Sequence, residues 1–210
     1  MKFTTASTSD QVASKLPLVY LCVFVLLWLS TLIGTHDLAN WFLENTLVFI
    51  FLGGLMISYR KFKFSDLTYT FIFVYLCLHI YGAKYTYAEN PFGYWLMDEF
   101  GFERNHYDRI VHFSFGFMIA YPLRDWFKNY FKFPNWVSWS LPCEITLSFS
   151  GAYELVEWAV ADIFFPEQGI AYLGTQGDIW DAQKDMALAF LGSVLIMLFF
   201  YIGKKVLKRN

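Results

Sequence analysis

Side chains able to do chemistry gather in three runs: NHYDRIVH from Asn105 to His112, ELVE from Glu154 to Glu157, and DIWDAQKD from Asp178 to Asp185. Asp108, His112 and Gly116 fall at i, i+4 and i+8, as do Asp181, Asp185 and Ala189. On a helix each set is one stripe running from polar into small residues, and small residues let a neighbouring helix come close. Glu154 and Glu157, at i and i+3, share a helical face.

Several chemistries are open to these residues. His106, His112, Asp108, Glu157, Asp181 and Asp185 are N and O donors of the kind that hold zinc, manganese or iron. Their spacing is not a ligand signature in the way H-E-x-x-H is, and the acids at 178, 181 and 185 are also what a helix dipole favours in an opening turn. Arg109 offers a planar donor fork for phosphate, with Arg104, Asn105 and Lys184 on the same side as further substrate-binding candidates. His112, Glu157, Asp108 and Glu154 are the acid–base candidates. Ser114, Ser148 and Ser150 lack a G-x-S-x-G elbow and are expected to bond to their own helices. The alternative is structural pairing, but Glu154, Glu157, Asp108, Asp181 and Asp185 are five acids against Arg109, Lys184 and His112. The surplus calls for a divalent metal, bound protons or a cationic ligand.

The elements that must position these groups are apolar blocks. Of 210 residues 57% are hydrophobic and 16% charged, with a net charge of −2, whereas soluble domains carry about 25% charged residues. This excludes a disordered chain and gives no basic footprint for nucleic acid. Six stretches, at about 16–34, 41–58, 67–83, 108–123, 139–163 and 183–203, approach the roughly 20 helical residues that cross a bilayer. The expected fold is all-α: one bundle of about six transmembrane helices over 16–203, a cytoplasmic N-terminal segment 1–15 and a basic cytoplasmic tail 204–210. The fourth span is the shortest and opens on charge. If the fifth ends near Phe164, Glu154 lies roughly 15 Å below that boundary at 1.5 Å per residue, where an ionisable group must pair, bind a cation or carry a proton.

Twelve of the 16 Lys and Arg residues fall on the side that holds both termini and four on the other, which predicts cytoplasmic termini and a periplasmic polar site. Two loops on that far side, about 84–107 and 164–182, are rich in Gly and Pro (Pro91, Gly93, Gly101, Pro166, Gly169, Gly174, Gly177) and long enough to be functional. Trp41, Trp95, Trp126, Trp136, Trp139, Trp158 and Trp180, and Tyr75, Tyr81, Tyr85 and Tyr87, are expected in interfacial belts. His79 is expected as a satisfied interface histidine and His36 as a solvated one. Three cysteines, Cys22, Cys77 and Cys143, define no disulfide framework. The tail KKVLKR suits attraction to anionic lipids.

The segments YAENPFGYW, RNHYDRIVHFSFGF, ELVEW and GTQGDIWDAQKDM together resemble the bacterial inner-membrane family typified by YjdF, a domain of unknown function, over most of the chain. The resemblance implies a multi-pass inner-membrane protein and brings no activity with it. The DRIVHF helix start and the later Asp-rich helix entry are also similar to VanZ-like proteins, which implies an envelope context.

The reading is a six-helix inner-membrane protein in the lipid bilayer. Its polar site binds or processes a lipid-linked or phosphorylated envelope substrate, with a divalent metal ion as candidate cofactor. The alternatives are a small proton-coupled transporter titrating Glu154 and Glu157, and a non-catalytic envelope scaffold. Substrate and oligomeric state are not legible in the sequence.

Overall fold

The computed structural model describes residues 14–35, 38–164 and 174–207. The expected N-terminal segment up to residue 13, His36, Pro166, Gly169 and the tail residues Lys208 and Arg209 lie outside them. The described elements are helices: α1 Leu16–Ser30, α2 Leu38–Tyr59, α3 Asp66–Lys84, α4 Pro91–Phe100, α5 Tyr107–Asn129, α6 Asn135–Ala159 with a π-helical turn at Val160–Phe164, and α7 Asp181–Leu207. Of these, α2, α3 and α7 are each long and apolar enough to cross a membrane unaided, and α1 is a shorter apolar helix. The molecule is an all-α membrane bundle. Its outer faces are apolar, as at Leu26, Ile50, Ile57, Phe149 and Phe199, all more than half exposed, and such faces are stable against lipid rather than water.

Local chemistry sets the helix ends. Ser65 caps α3 by accepting the Thr68 N–H at 3.2 Å, with Asp66 in its first turn and Lys84 in its last, both favoured by the helix dipole. The loop expected over 84–107 contains α4, a correction whose signals were local. Asn90 accepts the N–H groups of Phe92 and Gly93, Pro91 opens the first turn, and Gly101 closes the helix at φ 67°. Expected to end near 123, α5 instead runs through Pro122 to Asn129. Its charges do not end it because neighbouring helices receive them: Asp125 accepts the Thr68 hydroxyl at 3.0 Å, and Arg124 lies 4.0 Å over the Trp139 ring.

At the centre, α5 packs on α3, α6 and α7, while α1 and α2 lean on α3. Lipid removes most of the hydrophobic drive between helices, so close packing and polar contacts hold them. The polar stripes meet here. A Cβ on Gly116 would overlap the Ala189 carbonyl oxygen, and one on Gly192 would overlap the Phe113 carbonyl oxygen, so α5 and α7 cross backbone to backbone.

Two belt expectations change. Trp41 is 3% exposed and donates to Thr31 Oγ1 at 2.9 Å, tying α2 to the end of α1. Tyr87 is also buried, because its ring covers Gly82 and its hydroxyl meets His79 Nδ1 at 2.6 Å. His79 Nε2 meets the Glu44 carbonyl at 3.2 Å. Both ring nitrogens of this histidine are therefore satisfied within the bundle.

Candidate functional site

Four segments converge at the end of the bundle that carries α4: the start of α5, the last third of α6, the start of α7, and the 174–178 segment. Asn105 anchors the entry to α5. Its side chain donates to the Asn90 carbonyl at 2.9 Å and accepts the Tyr107 N–H at 3.0 Å, while its backbone exchanges hydrogen bonds with the Gln176 amide at 2.8 and 3.0 Å. The side chain of Asn105 thus tethers the α5 entry to Asn90 and caps its first turn, while its backbone ties in the 174–178 segment.

Three cations then converge on two aspartates. Arg104 presents both guanidinium nitrogens to Asp181, at 2.6 and 3.1 Å, in a fork that also reaches the Thr175 carbonyl. Arg109 donates to Asp178 at 2.5 Å and to Asp181 at 3.1 Å. Lys184 reaches Asp178 at 2.6 Å. Together with the Trp180 N–H, Lys184 and Arg109 hold the Asp178 carboxyl well below the usual carboxylate range. His106 lies 3.5 Å from Arg109 and edge-on to Phe102, apart from the acids that were to share a metal with it. Burial, reinforced by Arg109 and Arg104, pushes its imidazole below the ordinary value, so it stays neutral at physiological pH.

The remaining acids have no such cation among the described residues. One oxygen each of Asp108, Asp181 and Asp185 lies within 4.8 Å of the others. Asp185 is 2% exposed, and its Oδ1 is buried without a hydrogen-bond partner. His112 is placed between α5 and α6. Its Nε2 is 3.6 Å from Asp108 and 3.5 Å from Glu154, and its Nδ1 shares a hydrogen bond of 3.2 Å with Ser150. Glu154 and Glu157, three residues apart on α6, lie close enough to interact. The hydroxyl of Tyr153 donates to Glu44 at 2.9 Å, bringing α2 into the site.

Asp108, Glu157 and Glu44 line a small cleft roofed by residues 86–88 and Gly174. Three carboxylates and no cationic side chain at its wall make it suited to a cation or a hydroxyl-bearing ligand. Glu44, Tyr153 and Gln176 were not among the sequence candidates. Glu44 had one available signal, an acid inside an apolar span, which is costly unless it has a partner or a function.

Residues 16–205 match the model of the predicted membrane protein family DUF2238. The chain belongs to the DUF2238 family. A relative, the inner membrane protein YjdF of Escherichia coli (strain K12), is 35% identical over 176 residues, which cover 83% of each chain. No solved structure matches. The DUF2238 match embraces α1 to α7, so the acid cluster, its arginines and the α5–α7 crossing all lie inside the family region.

Proposed function

We propose that this DUF2238 protein holds a divalent cation on Asp108, Asp181 and Asp185 and uses it, beside Arg109, to bind and process a phosphorylated, lipid-linked substrate that enters from the bilayer. The observation that carries the reading is the triad of carboxylates within 4.8 Å, one of them with a buried oxygen that no side chain meets. Arg104 and Arg109 already serve Asp181, so the reading rests on Asp108 and Asp185, whose closeness favours a shared proton or a cation. An all-oxygen donor set favours magnesium, manganese or calcium over zinc.

In this reading the cation offsets phosphate charge, and Arg109, with Nη2 held by Asp178 and Asp181, offers Nη1 to a phosphate oxygen. Against the acids, His112 orients Asp108 and, with Glu154 and Glu157, moves protons. We place residues 16–203 in one membrane domain with 1–15 and 204–210 cytoplasmic and the site periplasmic, which the uneven distribution of Lys and Arg supports.

Elemental analysis of the detergent-purified protein tests the reading, beside Asp185→Asn and a His112→Ala/Glu157→Ala double variant. Near-stoichiometric divalent metal, lost in Asp185→Asn, is expected. Absence of metal after manganese or magnesium supplementation overturns it in favour of a proton-coupled carrier. That second reading has its own support in the Glu154–Glu157 contact, which suits one shared proton. Against it, α5 carries no charged side chain from Phe113 to Leu123, so the acids do not continue along that helix.

A further inference from the structure

The opposite end of α5 presents a buried cation that forms no ion pair among the described residues. Arg124 is 8% exposed, its Nε is buried without a hydrogen-bond partner, and no ion pair among the described residues uses its side chain. Its guanidinium lies over two rings instead, 4.0 Å from the centre of Trp139 and 5.6 Å from that of Tyr121. Asp125 acts on it through space but makes no ion pair with it, its oxygens being bonded to Thr68 and to Asn129. Ring faces stabilise a guanidinium only modestly, and its donors still require an acceptor when water is excluded.

Two more cations join it. Lys128 follows Arg124 by four residues, hence on the same face of α5. Lys204, in the last turn of α7, lies close to Lys128 and near Arg124. Ammonium groups repel at that separation, so the arrangement is stable when an anion lies between them. The surroundings name the kind of anion. Tyr201 packs edge-on to Trp139, the ring under Arg124, and is exposed, as are Trp136 and Phe131, three residues from Trp139 and Lys128 in sequence; aromatic side chains of this kind mark the level of lipid headgroups. Basic pockets between membrane helices at that level take phosphate-bearing headgroups, and a guanidinium fork matches a phosphate's paired oxygens.

We infer that Arg124, Lys128 and Lys204 form a binding site for the phosphate of an anionic membrane lipid, at the junction of α5, α6 and α7 and remote from the acid cluster. The lipid supplies the counter-charge that the chain omits, and its acyl chains lie along the exposed apolar faces of the same helices. The inference stands independently of the metal reading, since neither set of residues includes the other.

Native mass spectrometry of the full-length protein, delipidated in detergent and then offered phosphatidylglycerol or phosphatidylcholine, tests it. The parent protein is expected to retain phosphatidylglycerol at least about tenfold better, as a charge-assisted phosphate contact requires, and to unfold at a higher temperature with it. Lys128→Gln/Lys204→Gln, both at exposed or half-buried positions, should lose that preference while keeping the parent's helical content and metal content. Arg124→Lys, which keeps charge and loses the fork, should weaken retention. Equal retention of the two lipids by the parent overturns the inference, as does an unchanged preference in the double variant. Protection by millimolar inorganic phosphate equal to that by phosphatidylglycerol also overturns it, because the site would then take a free anion.

Discussion

The two ends of α5 solve the burial of charge in opposite ways. At the α4 end, Arg104, Arg109 and Lys184 crowd onto Asp178 and Asp181, while Asp108, Asp185, Glu154, Glu157 and Glu44 are left with histidine, hydroxyls and each other. At the far end a guanidinium rests on aromatic rings with its only neighbouring acid turned to other partners. One end has negative charge in surplus and the other positive. Among the described residues, then, acids outnumber cations at one end and a cation stands without an ion pair at the other, some 15 residues apart on the same helix.

The sharpest way to break this comparison is to remove one arginine from each end. Arg104→Met leaves the buried Asp181 with Arg109 as its one remaining arginine contact and should cost about 3 kcal/mol. Arg124→Met strands no acid and, in delipidated protein, should cost about 1 kcal/mol or less, the size of its ring contacts. Thermal unfolding of the two purified variants decides it, and equal losses would show that the ends are not different in kind.

Next in size is the crossing that links both ends. Gly116→Ala drives a methyl group into the Ala189 carbonyl and should cost about 1–3 kcal/mol, whereas Gly203→Ala, with open space around it, should stay within about 0.5 kcal/mol. Both values come from the same unfolding measurement. Loss of the α4 cap is smaller: Asn90→Ala should cost about 1 kcal/mol and speed hydrogen exchange at residues 92–101 without changing metal content.

The smallest effect concerns Asp178. Its depressed pKa means that the ion pairs tying residues 174–180 to α5 contribute stability that is full above the ordinary aspartate value, near 4. That contribution is lost only as pH falls through the lower folded-state value. Hydrogen exchange of these amides, corrected for intrinsic rates, should be flat from pH 7 to about 4.5 and rise below it. Loosening already at pH 6 would mean that the pairs do not hold the segment.

The helical frame was largely legible because apolar blocks of spanning length are a local signal. The helical stripes at 108–116 and 181–189 were legible too, since spacing alone puts Asp108 with Gly116 and Asp185 with Ala189. Partner choice was not. Arg104 finds Asp181 across 77 residues and Tyr153 finds Glu44 across 109, and no periodicity reports which helices meet. Asn105 and His106 look like ligands by type, yet chain geometry engages the first in loop joining and sets the second against Arg109. Arg124 counted only as one more basic residue on its side, because a sequence does not show that its neighbour Asp125 looks elsewhere.

The crossing of α5 and α7 also constrains motion. Where two backbones touch at Gly116 and Gly192, neither helix can turn about its axis or slide along the other without a clash. Asp108 and Asp185 therefore move as one rigid piece. Opening of the acid cluster to a large substrate would fall to the other helices, and the Tyr153–Glu44 hydrogen bond between α6 and α2 is one contact it would break. The moving part and the chemical part of this molecule would then be different helices.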